Sequence, residues 1–363
     1  MAQKIGILTF HGCINYGSYW QANCLAEGLM ARGHLVQILN HYSKQVNIGE
    51  LKCAYQPVLP SLVPESDYPL YRQKIERFFS SFTKLPLSAP FPLNEPEKMD
   101  AYDVVVVGSD EVWNMFHPWY GKNPLFFGDG IKADRLISYA ASFGNYPASW
   151  GIDSFWADKL RNFDSIAVRD SNSQLIVKNA LDFTPYMVLD PCMQFPVKPD
   201  YRNLDHLPEK YIAVYGHNFT NEYIREVKKW SVDKKLPLLS IGYRNDWADK
   251  QWLTADPHDF AHFISGAQAV STNFFHGCVF SLINKKPFVC EATPYRTLKV
   301  NGLMEKLGGE NHLVNSDTTT SVYNTCLSEP INIDISMKMD QLRRQSNQYL
   351  AEALGEDKQL QTA

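Results

Sequence analysis

Residues 4–39 read "KIGILTFHGCINYGSYWQANCLAEGLMARGHLVQIL". "KIGILTF" is a short apolar run with β-branched content, as a buried strand requires. A loop with two glycines, "HGCINYGS", leads into the helical pattern "YWQANCLAEGLMARG". Gly33 stops that helix, and "HLVQILNHY" supplies the next strand. Strand, glycine-bearing loop, helix and strand make a βαβ unit, which demands a parallel sheet and an α/β fold.

The same design recurs downstream. "YDVVVVGSDEVWN" (102–114) is a fully buried strand that ends abruptly in a polar loop. "RLISYAASFG" (135–144) and "FDSIAVRDSNS" (163–173) follow it, each ending in small or ionisable residues. Between residues 43 and 99 the text is irregular and proline-bearing, and one helix is predicted there, over "YPLYRQKIERFFSSF". The stretch "YMVLDPCMQFPVKPDYRNLDHLPEK" (186–210) carries four prolines and reads as an interdomain linker.

A second α/β series begins at "YIAVYGHN". It runs through "NEYIREVKKWSVDKK", "LPLLSIGY" and "DPHDFAHFISGAQAVSTNFFHG" to the strand "KPFVCEA". The tail "MDQLRRQSNQYLAEAL" spaces its apolar residues as a helix does. The expected division is 1–195 and 196–330 as two domains, with 331–363 as a helix and tail packing back on the first. A chain of 363 residues is too long for one ordinary core and fits that division.

Composition excludes several classes. The formal net charge of −4 and the lack of a dense Lys/Arg block argue against a nucleic-acid partner. "VKKWSVDKK" reads as the solvated side of an amphipathic helix. Seven cysteines, with no CxxC pair, argue against a disulfide framework or a zinc site and for reduced thiols. No apolar run approaches the ~20 residues that cross a bilayer. A cytoplasmic protein is expected, with peripheral contact to the inner face of a membrane left open.

In open α/β sheets, ligands collect at the carboxyl ends of the strands, and four clusters lie there. In "HGCINYGS" the free N–H groups ahead of a helix suit an anion, although glycines serving turn geometry alone explain the loop equally well. After the central strand come Gly108, Ser109, Asp110, Glu111 and Asn114; a carboxylate there serves as a base or a sugar-hydroxyl acceptor, and a helix cap is the bland alternative. "SIAVRDSNS" places Arg169 where a guanidinium fork meets phosphate or carboxylate, unless it pairs with Asp170. "STNFFHGCVFSLINKKPFV" (271–289) puts His276 at a helix N-terminus, with Gly277 opening the backbone for a ligand.

Taken together, "GILTFHGCINYGSYWQANCLAEGL", "VVGSDEVWN", "SYAASFG…VRD…LDP" and "TNFFHGCVFSLINKKPFV" resemble the polysaccharide pyruvyl transferase family, and "YRTLKVNGLMEKLG" adds support. The resemblance implies two Rossmann-like domains facing across a cleft, as in glycosyltransferase-B enzymes, the first on the acceptor side and the second on the donor side. It implies transfer of a pyruvyl group from phosphoenolpyruvate to a sugar, or to a sugar of a lipid-linked oligosaccharide, as a ketal, in surface polysaccharide biosynthesis. His276 matches the family's general acid and Arg169 its donor-binding arginine. Gly277, Arg296 and Lys299 complete the expected donor site. Asp110 is the expected base, with Asn15, Tyr16, Gly17, Ser109, Glu111 and Asn114 toward the acceptor. No metal or further cofactor is expected.

The chain departs from the family's usual signature. Asn273 and Phe274 stand where an acidic and a polar or basic side chain are common, and Glu111 stands where glutamine is common. A nucleotide-sugar glycosyltransferase of similar fold, or a glycan-binding relative without catalysis, is the competing expectation.

Overall fold

A computed structural model describes residues 2–196, 198–205, 207–292 and 297–356. The chain opens with β1 (Lys4–Leu8), α1 (Tyr16–Ala31) and β2 (Leu35–Ile38), β1 and β2 being parallel with Ile5 beside Val36. Next come β3 (His41–Tyr42), α2 (Lys44–Tyr55), α3 (Tyr68–Phe82) and β4 (Phe91–Pro92). Then follow β5 (Tyr102–Val107), β6 (Ala133–Ser138), α4 (Ser154–Leu160), β7 (Ala167–Val168), α5 (Ser171–Leu181), β8 (Tyr186–Met187) and α6 (Pro191–Gln194). The first sheet runs β2-β1-β5-β6, all parallel. Bridges from Ile137 to Ser165 and from Ala141 to Val168 carry it on to the β7–β8 pair.

The second series is β9 (Ile212–Tyr215), α7 (Asn221–Lys234), β10 (Leu238–Ile241), β11 (Lys250–Trp252), α8 (Pro257–Gly266), β12 (Ala269–Thr272), α9 (Phe275–Ile283), β13 (Phe288–Glu291), α10 (Thr297–Leu307), β14 (Leu313–Val314) and α11 (Thr320–Ser328). Its six strands lie in the order β11-β10-β9-β12-β13-β14, all parallel. Counted from β9, that order is 3-2-1-4-5-6, the doubly wound arrangement with its switch point between β9 and β12. The central strands β9, β12 and β13 are buried along their whole length, which explains why they read as unbroken apolar runs. The protein therefore holds two Rossmann-like halves.

Helix α1 joins them. It is buried on nearly every side, from Tyr16 to Leu29, so it carries no amphipathic stripe and belongs to the interior. Tyr16 Oη donates to Ala255 O at 2.9 Å, and Trp20 Nε1 donates to Pro257 O at 2.8 Å. One buried apolar cluster runs from Ile5 and Val104 through Tyr16 and Trp20 to Tyr215, Phe260 and Cys278. Each such side chain taken out of water contributes roughly 1.5–3 kcal/mol. The final helix, α12 (Ile333–Leu354), crosses back to the first sheet. Tyr349 Oη donates to Ser138 O at 2.6 Å, Leu189 N donates to Ser346 Oγ at 2.9 Å, and Arg135 Nη1 donates to Ala353 O at 2.8 Å.

Two readings of the sequence need correction. The segment before α3 contains a second helix, α2, which buries only Val46 and so shows no apolar period. The proline-rich stretch from Tyr186 is not mere linker: its first residues form β8 and the wholly buried α6. All seven cysteines are free. No helix of the described residues is long and apolar enough to cross a membrane.

Candidate functional site

The switch points of the two sheets face one another, and a cavity of about 730 Å³ lies between them. The loops after β1 and β5 and the first turn of α1 form one wall, with Asn15, Ser18, Asp110, Glu111 and Asn114. The other is formed by Tyr215, His217, Tyr243 and the start of α9. Helices α2 and α3 close one end with Glu50, Cys53 and Lys74, beside the aromatic turn Phe116–Trp119.

At the floor sits a buried ionic cluster. Arg169, just past β7, donates from Nη1 to Asp190 Oδ2 at 2.9 Å and from Nη2 to Asp110 Oδ1 at 3.3 Å. Burial alone would weaken its proton affinity, but Asp110 and Asp190 raise it, so it stays charged. Its guanidinium carbon lies 4.9 Å from the centre of the Phe275 ring. Asp190 caps α6 through Cys192 N at 3.0 Å and faces His276 Nε2 at 3.6 Å. Burial pushes its carboxyl up, yet His276, Arg169 and the Cys192 amide together hold it well below the usual carboxylate range. Nearby, Lys299 pairs with Glu111, which also accepts from Asn114 Nδ2 at 2.8 Å. Burial opposes the charge on Glu111, and Lys299 followed by Arg169 overcomes it, bringing the group down to about 2.

The structure thus brings His276, Arg169, Lys299, Asp110, Glu111, Asn114 and Asn15 to one cavity. Arg296 lies outside the described residues. Asn15 acts as the N-cap of α1, accepting from Gly17 N at 2.8 Å and Ser18 N at 3.3 Å. Those amides are therefore engaged by the chain's own side chain, contrary to the anion site expected there; such a cap stabilises a helix by about 1 kcal/mol. Arg169 does not pair with Asp170, which instead caps α5 through Ser173 N at 2.7 Å.

Four expected contacts do not reach the cavity. Tyr16 is buried between the halves, stacked on Phe260 with ring centres 4.6 Å apart. Ser109 is fully buried and holds Arg169 Nη1 at 3.3 Å. At Gly277 a Cβ would overlap the Thr272 side chain, which by itself requires a glycine. Gly17 is small because a Cβ would overlap the His276 ring. Substituting Gly17 by alanine is accordingly expected to displace the imidazole and cut activity at least tenfold with the fold retained. A crystal structure showing an unmoved ring, or full activity, would refute that.

Asp110 lines the cavity and is held by several donors. Its oxygens accept from Ser18 Oγ at 2.7 Å, Glu111 N at 2.9 Å and Arg169. Through these contacts Asp110 orients Arg169 and Ser18. Of the two departures from the signature, Asn273 is buried and donates from Nδ2 to His217 O at 2.8 Å, fixing the loop after β9. Phe274 instead lines the cavity, edge-on to Tyr215 and Tyr243.

Asp190, Ser18, Glu50 and Lys74 were not anticipated. Asp190 follows β8 as Arg169 follows β7, so the strand-end rule could have found it. Asp190, Cys192 and His276 offer ligand atoms within 4.8 Å of one another. The Asp190 oxygen nearest His276 already holds the Arg169 guanidinium, whose charge would repel a cation there.

Two halves of doubly wound topology around a cleft define the glycosyltransferase-B class of fold. A putative UDP-N-acetylglucosamine 2-epimerase from Listeria monocytogenes is similar over 99% of this chain and 98% of its own, at 11% identity and a TM-score of 0.53. The UDP-GlcNAc 2-epimerase from Neisseria meningitidis, bound to UDP-GlcNAc, is similar over 97% and 99%, at 8% identity and a TM-score of 0.51. At such identities the likeness concerns the fold. No curated protein sequence matches the chain. Residues 15–293 match the polysaccharide pyruvyl transferase family, and the chain belongs to that family, which makes it a transferase of polysaccharide biosynthesis.

Proposed function

We propose that this chain moves the pyruvyl group of phosphoenolpyruvate onto two hydroxyls of one sugar and releases phosphate. Buried polar atoms without hydrogen-bond partners carry this reading. Among them are Arg169 Nε and Asn145 Oδ1, and both residues line this cavity. Buried polar groups are nearly always satisfied, so such orphans call for a polar substrate. The first turn of α9 adds to this: no side chain caps it, unlike α1, α5, α7 and α8, and its N–H groups suit an anion.

In this reading Arg169, Lys299 and the α9 terminus hold the donor's phosphate and carboxylate, Lys299 exchanging Glu111 for the incoming anion. His276, partnered by Asp190, gives its proton to the methylene carbon of the donor. Positive charge builds at the neighbouring carbon, where a sugar hydroxyl attacks. The hydroxyl proton returns to the imidazole, phosphate leaves with its oxygen, and the second hydroxyl closes the ketal while its proton departs with phosphate. Residues 1–195 provide most of the acceptor wall and 196–330 the acid. The acceptor sugar, free or lipid-linked, lies along Phe116–Trp119 and Phe274, aromatic surfaces suited to sugar faces.

The test is incubation with phosphoenolpyruvate and candidate oligosaccharides, following phosphate release and the product's mass. Phosphate release with a pyruvate-sized mass gain is the expected result. Consumption of a nucleotide sugar, with phosphoenolpyruvate untouched across acceptors, would overturn the reading.

A further inference from the structure

Lys74 lies on α3, outside the cluster around His276, and has no place in the scheme above. Its side chain lines the cavity and is only 3% exposed. Its ammonium donates to Gly242 O at 2.9 Å. It sits 4.6 Å from the centre of the Tyr243 ring and 5.2 Å from that of Tyr16. Among the described residues no carboxylate lies within ion-pair distance of it, whereas Arg169 and Lys299 both have one. An ammonium carries three donors, and a carbonyl plus ring faces satisfy them poorly. A side chain serving only to tie α3 to Gly242 would need no charge, and burying one unpaired is unfavourable. The cavity wall is where a missing counter-charge can arrive.

We propose that Lys74 forms a second oxyanion subsite in this cavity, apart from Arg169 and Lys299, for a phosphate or carboxylate group carried by a substrate. The inference rests on the reading of the cavity as the substrate site. An unpaired ammonium favours an acidic acceptor over a neutral one, so this residue selects among glycans. Burial also brings Lys74 down to about 7, with Cys53 on α2 opposing that shift. The other titratable groups against it are the Tyr16 and Tyr243 phenols. A bound anion restores the proton, so binding strengthens as pH falls through that range.

Calorimetric titration of the full chain with inorganic phosphate tests this without turnover. At about pH 6 the wild type is expected to bind phosphate at two sites, and Lys74→Met to lose one of them by roughly tenfold or more, the weight of a single charge-assisted bond. Lys74→Arg, charged at any accessible pH, retains that site. At about pH 8.5 the wild type weakens at this site and Lys74→Arg does not. If saturating phosphoenolpyruvate leaves the Lys74-dependent phosphate in place, the group belongs to the acceptor; if it displaces it, to the donor. Lys74→Met takes away a charge whose burial is unfavourable, and Lys74→Gln, checked with it by thermal melt, provides a second variant that keeps a polar head. Superimposable isotherms for folded Lys74→Met or Lys74→Gln and wild type at the lower pH overturn the proposal. Lys74-dependent phosphate binding without any consumption of phosphoenolpyruvate would instead count against the pyruvyl reaction alone.

Discussion

Replacing His276 by glutamine is expected to lower turnover by about 10²–10⁴-fold, the usual weight of positioned acid catalysis, with the melting temperature little changed. Among the described residues, the imidazole is the cavity's only group of its kind facing both Asp190, at 3.6 Å, and the uncapped start of α9. Glutamine matches its reach and offers a hydrogen bond but no proton to carbon. Asp190 keeps Arg169 as its counter-ion at 2.9 Å, so the substitution strands no charge and the fold should hold. Donor affinity should fall far less than turnover, because the charges assigned to bind the donor stay in place. Steady-state kinetics of the folded variant decide it: near-normal turnover removes His276 from the acid's role.

Asp190→Ala should be the most destabilising change at the site. It leaves the buried Arg169 with the longer contact to Asp110, at 3.3 Å, as its one remaining ion pair among the described residues, and removes the cap of α6. Breaking one partner of a buried pair typically costs about 3–5 kcal/mol; the surviving Asp110 contact places the expectation toward the lower end. Asp190→Asn keeps the shape and the cap while removing the charge opposite His276. It should therefore fold better than the alanine variant yet lose most of its turnover. Urea titration of both variants, set beside their kinetics, separates support of the fold from support of the imidazole. An alanine variant as stable as the wild type would mean that Arg169 does not depend on Asp190.

Much of this arrangement was legible from residue order alone, because periodicity and strand ends are local properties. The βαβ opening, the second sheet and the limits of α3 all follow from apolar spacing and stop residues. His276, Arg169, Asp110 and Glu111 follow from the rule that ligands gather at strand ends, whereas Lys299 was expected only as a cation for the donor's charges. What escaped depends on distance in sequence. Glu50 sits on a helix with a single buried residue, so nothing in its period marks it. It lines the cavity because Trp119 Nε1, at 2.8 Å, and Cys13 Sγ, at 3.1 Å, hold its carboxylate. Asp190 was hidden by the prolines after it, which mimic a linker. Tyr16, Gly17 and Gly277 look the same in text whether they meet a ligand or a neighbouring element. Only packing distinguishes the two.

At position 17 the imidazole of one half rests against bare backbone of the other, with no room for a methyl group between them. Any swing that pries the lobes apart must lift His276 off its seat, so the role proposed for this imidazole and lobe separation belong to different poses. Loading and unloading should then rely on the rim (the aromatic turn and the start of α10) rather than on wholesale gaping. Engineers seeking new acceptors therefore have latitude along that rim, and almost none on α1, most of which lies away from the cavity.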